Sequence, residues 1–183
     1  MADAEGSLDR WRAAVADVRE VMRSSGDVEV QWLAAVAMSA AGQYLLAELC
    51  ASASCAAQNA AETELHPEHL TAALAMDEEL AALAQRIGFT VERPGAQAEL
   101  AELVAASPYG VRRGLTIGAD ANNALDRFAT AFVQRCTARA GTKTITADDV
   151  AYAVRLEVGD SLASHVLVGV AGAVDRVRHG LME

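Results

Sequence analysis

Lysine is all but missing from this chain: Lys143 is the only one among fifteen cationic side chains, the rest being arginine. An arginine bias of this kind follows from a GC-rich genome as readily as from function. Cations are also scarce against 25 acidic residues, which leaves a net charge of -10. Nonspecific nucleic-acid binding rests on Lys and Arg neutralising phosphates, so this balance argues against a free-standing binder and fits a cationic protein partner better. Aromatics make up 4% of a chain that is 52% hydrophobic. The apolar content is therefore mostly Ala, Leu and Val, which favours tightly packed helices over a sheet and predicts an all-α protein. Cysteines number three, an odd count with no basic-then-apolar leader ahead of them, so a secreted disulfide framework is not expected.

What charge there is falls unevenly. Residues 1–95 hold 6 Arg against 15 acids, and residues 96–183 hold 9 Arg or Lys against 10. With 183 residues there is room for one compact domain or for two small ones sharing a core. Between Val30 and Ala61 the only charge is Glu48. That run is long enough to span a membrane. Its Ala, Ser and Gln content and the lack of close Lys or Arg flanks predict a buried central helix instead.

Helical periodicity runs through most of the chain. "SLDRWRAAVADVREVMRSSG" predicts a first helix capped by Ser7, with Trp11, Val15, Val18 and Met22 on one face. From Val30 a second helix of about seven turns follows, buried on more than one side. "LHPEHLTAALAM" predicts a short helix with His66 or its neighbour as cap and Pro67 at the first helical position. "DEELAALAQRIG" continues as another after a change of direction at Asp77. "FTVERPGAQ", with Pro94 and Gly95, reads as a connection between halves, 1–92 and 93–183.

In the second half a short helix, "AQAELAELVAAS", precedes a loop bearing the only adjacent arginines, Arg112 and Arg113. A long helix then places Ala121, Leu125, Phe128, Phe132 and Cys136 on its core stripe, gathers Arg127, Arg135 and Arg139 on another face, and stops at Gly141. "TITADDVAYAVRLEVG" predicts a capped short helix, and "DSLASHVLVGVAGAVDRVRHG" a final one. Leu65-His66-Pro67-Glu68-His69-Leu70 aligns with Ile145-Thr146-Ala147-Asp148-Asp149-Val150 at an offset of 80. Two copies of one unit is the economical reading: neither buries its long helix alone, but two do so by crossing them.

Signs of enzymatic chemistry are sparse. His66 and His69 could share a helix face with Cys55 nearby, but the spacing matches no closed zinc pattern, and capping or core roles are expected. No glycine-rich phosphate loop, nucleophile elbow or framed carboxylate pair is found, so no enzyme, cofactor or small-molecule substrate is expected.

"QYLLAEL", "LHPEHLTAAL" and "DEELAAL" resemble, in order and spacing, the long, third and C-terminal helices of histone 2A. "TITADDVAYAVRLEVGDSLASHVLVGVAGAVDRV" similarly resembles the third and C-terminal helices of histone 2B. The resemblance implies two histone folds in one chain, forming an intramolecular head-to-tail pseudo-dimer. Such fused doublets are typical of some giant DNA viruses. It further implies DNA packaging beside histone 3 and 4-like partners, in a virion, host nucleus or viral factory, or otherwise a nucleus or nucleoid.

Carried over by position, the DNA-binding loops are Glu29 and Val30 with Thr63 and Glu64 in the first half. In the second half they are Arg112, Arg113 and Thr116 with Lys143, Thr144 and Thr146. Arg23 matches a family arginine. Glu48, Asp77, Glu78 and Glu79 match four members of the family's acidic patch, which captures arginine anchors of partner proteins. An acidic run at a helix N-terminus is also ordinary dipole chemistry.

Departures from the family pattern are specific. Loop arginines are replaced by Glu29 and Glu64, and no basic tail leads the chain. Thr142 stands where an arginine would pair with Asp149, and Gln43, Ala51, Ser161 and Gly169 stand where further patch acids would be. DNA is therefore expected at the Arg112–Arg113 loop with Lys143, and only beside a cationic partner. The alternatives are an acidic histone mimic or chaperone that wraps no DNA, and a histone-fold subunit of a transcription complex.

Overall fold

The computed structural model describes residues 2–91, with side chains from Leu8 on, and residues 100–105, 111–141 and 143–181. The protein is all-α, with eight helices among these residues and four two-residue strands between them.

The first helix, α1 (Ala2–Ser24), starts earlier than the Ser7 cap predicts. Alanines and acids ahead of Ser7, Asp3 and Glu5 among them, suit a helical first turn and carry the helix past it. Val15, Val18 and Met22 are buried as the spacing requires. After the strand β1 (Glu29–Val30) comes α2 (Trp32–Asn59), whose buried residues point in almost every direction. By length and composition α2 would suffice to cross a membrane, but 67% of its most apolar window is buried inside the protein, as in a core helix. Gly42 is needed on it for a close approach: a Cβ there would lie 3.1 Å from Leu103 Cδ2.

Strand β2 (Glu64–Leu65) leads into α3 (Pro67–Met76), with His66 as N-cap and Pro67 at its first position. Asp77 then caps α4 (Glu78–Arg86), its carboxylate accepting the amides of Glu79 and Leu80 at 3.0 Å each. The predicted boundary at residues 92 and 93, with Pro94 and Gly95, lies outside the described residues. Of the predicted helix beyond it, α5 (Ala101–Ala105) is described; Leu103 and Val104 are buried, and Asp126 takes the Leu100 amide at 2.7 Å.

Strand β3 (Thr116–Ile117) precedes α6 (Ala119–Ala140), whose predicted core stripe is buried throughout. Gly141 ends it at a φ of 61°, a left-handed conformation that glycine adopts without strain. Strand β4 (Thr144–Ile145) leads to α7 (Ala147–Glu157), closed by a capping box, and α8 (Asp160–Arg178) follows.

The strands tie the halves together reciprocally. β1 runs parallel to β4, with Glu29 opposite Thr144 and Val30 opposite Ile145. β2 runs parallel to β3, with Glu64 opposite Thr116 and Leu65 opposite Ile117. Each pair joins the loop before one long helix to the loop after the other. A 28-residue helix is about 42 Å long, so the two pairs sit at opposite ends of α2. Against the flanks of α2 pack α8, α3 and α7, and one hydrophobic core runs through both halves.

Candidate nucleic-acid interface

At one end of α2 the Glu29 amide donates to the Lys143 carbonyl at 2.9 Å and the Gln31 amide to that of Ile145 at 3.1 Å. Arg19 Nε donates to the Val30 carbonyl at 2.9 Å and fastens α1 to the same loop. Two exposed cations belong here: Lys143 beside β4, and Arg23 in the last turn of α1. The acid is here as well, since Thr144 Oγ1 donates to Glu29 Oε2 at 3.3 Å.

The other end repeats this arrangement. The Thr116 amide donates to the Thr63 carbonyl at 3.0 Å and that of Gly118 to Leu65 at 2.9 Å. Arg112 turns back onto the last turns of α2, where its guanidinium donates to Gln58 Oε1 at 2.6 Å and to Cys55 Sγ at 3.1 Å. Arg113 is exposed beside it. Glu64 bends over the start of α6, so close that a Cβ on Gly118 would lie 2.7 Å from its Oε1. Helix N-termini favour anions, and here a carboxylate of the chain itself lies beside the residue that precedes α6.

One expectation therefore changes. Lys143 and the Arg112–Arg113 loop do not form one site, because they belong to opposite ends of a helix about 42 Å long. At each end an acidic loop of the first half meets a loop of the second, since the parallel register sets Glu29 against Thr144 and Glu64 against Thr116. Periodicity assigns residues to helix faces but carries no information on which loop pairs with which. Of the threonines, Thr116 Oγ1 contacts the Thr63 carbonyl at 3.4 Å, and Thr146 Oγ1 donates to Asp149 Oδ2 at 2.7 Å within the α7 capping box. Asp149 is thus engaged by Thr146; Thr142 lies outside the described residues.

The four carboxylates of the predicted acidic patch have different surroundings. Asp77 is a helix cap, and Glu78 is exposed. Glu79 lies against Gly159, the residue ahead of α8, at 3.4 Å from its Cβ position. Glu48 accepts a hydrogen bond from Tyr44, whose phenol pKa is raised by burial, then by that bond and by the Glu48 charge. Tyr44 also lies 3.9 Å from the Cβ position of Gly169 on α8. Tyr44 and Glu79 thus both border α8.

Sequence reasoning missed Glu157. It continues the buried α7 stripe of Val150, Ala153 and Val154, and that spacing was the available signal. Its side chain is 1% exposed, with Oε1 2.8 Å from Arg139 Nε and 3.3 Å from Arg135 Nε, while Arg86 donates to its carbonyl at 2.6 Å. Arg127, on the same helix as Arg135 and Arg139, donates to the Val91 carbonyl at 2.7 Å.

Among the described residues no group of three or more His, Cys, Asp or Glu is placed to hold a metal ion. His69 Nδ1 accepts the His66 amide at 3.0 Å, which puts its proton on Nε2, 3.7 Å from a Glu62 oxygen. No family model matches the chain, and no curated protein matches it.

Proposed function

We propose that the chain is a fused histone 2A and histone 2B doublet that packages DNA in a nucleosome-like particle, as in viral chromatin, together with histone 3 and 4-like partners. The observation that supports this reading is the reciprocal pairing of β1 with β4 and of β2 with β3, which ties the loops flanking α2 to those flanking α6. Paired loops of that kind present backbone amides and helix starts to phosphates at both ends of the long helix.

The cations available for phosphate contact are few: Arg23 and Lys143 at one end, Arg112 and Arg113 at the other. With four to six contacts, log affinity falls against log salt with a slope of roughly -4 to -5. Glu29 and Glu64 offset much of the attraction, so DNA is held only beside a cationic partner. Nuclease protection of DNA mixed with this protein, with and without a histone 3 and 4-type partner at two salt concentrations, tests the reading. Discrete protected lengths in the mixture alone are expected. A soluble partner complex that sheds its DNA would sink it.

That second outcome is the mark of an acidic histone mimic or chaperone, a reading favoured by the exposed Glu64 carboxylate beside the start of α6.

A further inference from the structure

Among the described residues, three of the six exposed large hydrophobic side chains stand on the α7–α8 hairpin: Tyr152 at 61% exposure, Leu156 at 44% and Val168 at 74%. A groove runs between these helices. One part, about 410 Å³, lies along Tyr152, Leu167 and Ala171; an adjoining part, about 500 Å³, extends past Val168. An apolar strip of this kind, rimmed by charge, marks an interaction surface.

The rim selects the occupant. Where α7 begins and α8 ends stand Asp148, Asp175 and Arg178, and at the opposite end stand Arg155 and Asp160. A cationic partner would have to settle on Arg155 and Arg178, and an acidic one on three aspartates. A second copy of the same hairpin, turned by half a rotation, meets opposite charge at both ends. Its Arg155 falls on Asp148 and Asp175, its Asp160 falls on Arg178, and each pairing occurs twice. Self-complementarity of this form is what a closed two-fold interface requires. Arg178 is free to exchange partners, since its contact with Asp175 is 3.9 Å long and both side chains are more than half exposed.

We propose that two copies of this chain pair through the α7–α8 hairpins, with Tyr152 and Val168 at the centre and the Asp148–Arg155 pairs around them. The pairing uses neither loop end of α2 and stands independently of the DNA-packaging reading. Each chain carries -10, so moderate salt strengthens the dimer by screening whole-chain repulsion, the screening length being about 8 Å near 0.15 M.

Sedimentation velocity in about 0.15 M salt tests this. The wild-type chain should sediment at twice its 19.1 kDa mass at high concentration. Asp148→Arg alone and Arg155→Asp alone should each lose the dimer, because like charges then face each other across the axis. Mixing the two single variants should restore the doubled mass, since opposite charges again meet, and the Asp148→Arg/Arg155→Asp double variant should regain it by itself. A wild-type chain that remains a monomer overturns the proposal. So do single variants that stay dimeric, or a mixture that stays monomeric.

Discussion

Glu64 Oε1 lies 2.7 Å from the position a Cβ would take on Gly118, and the Leu65 carbonyl oxygen lies 2.9 Å from it. The second contact is backbone, and that backbone also accepts the Gly118 amide at 2.9 Å. Gly118→Ala must push β2 off β3 and should cost about 1–3 kcal/mol in urea denaturation. Gly169→Ala, whose nearest neighbour is 3.9 Å away inside α8, should stabilise by up to about 1 kcal/mol through helix propensity. Equal effects would mean that the close approach at Gly118 is not needed.

In the proposed packaging function the same carboxylate would compete with phosphate. Glu64→Gln should raise DNA affinity of the mixed particle about fivefold, or roughly 1 kcal/mol, the worth of one charge at a helix N-terminus. Glu68→Gln changes net charge equally at another exposed position and should do much less. Titrating labelled DNA against both variants tells local displacement from a general charge effect.

Arg135 and Arg139 support the buried Glu157 carboxylate. Removing both, as Arg135→Ala/Arg139→Ala, leaves a buried charge without its partners and should cost about 3–5 kcal/mol. Glu157→Leu keeps the volume and frees two half-exposed guanidiniums to water, so its effect should lie within about 1 kcal/mol of neutral or be stabilising. Chemical denaturation of the two variants should therefore rank them far apart.

Burial pushes the Cys50 thiol up to about 12, and it also raises Cys136, where the Glu157 charge adds to desolvation. Unfolded thiols ionise near about 8.5, so the folded state holds the proton more tightly. The stability this contributes is complete below about 8.5 and is lost as pH rises toward 12. Melting temperature should fall from about pH 9 upward, and less steeply in Cys50→Ala/Cys136→Ala. A thiol reagent near neutral pH should label half-buried Cys55 first.

Local chemistry was legible from the sequence. Pro67 at a helix start, the change of direction at Asp77, a cap ahead of α7 and the stop at Gly141 each act through neighbours a few residues away, and each stands where spacing puts it. The long helices and their core stripes follow from periodicity for the same reason. What escaped depends on contacts between distant segments. Glu29 meets Thr144 across 115 positions, and Arg86 reaches Glu157 across 71. No local pattern encodes such pairs, so the balance of charge at each end of α2 became visible only once the loops were seen side by side.

The packing of α2 against α8 has a consequence for how the chain is made. Ribosomes deliver α2 well before α8, yet the two pack against each other in the folded protein. Until the later helices are made, the first half therefore exposes its longest hydrophobic helix, and neither of its loops has a strand to pair with. The core can close only once α8 is present, so a first half made without it should be a client for chaperones.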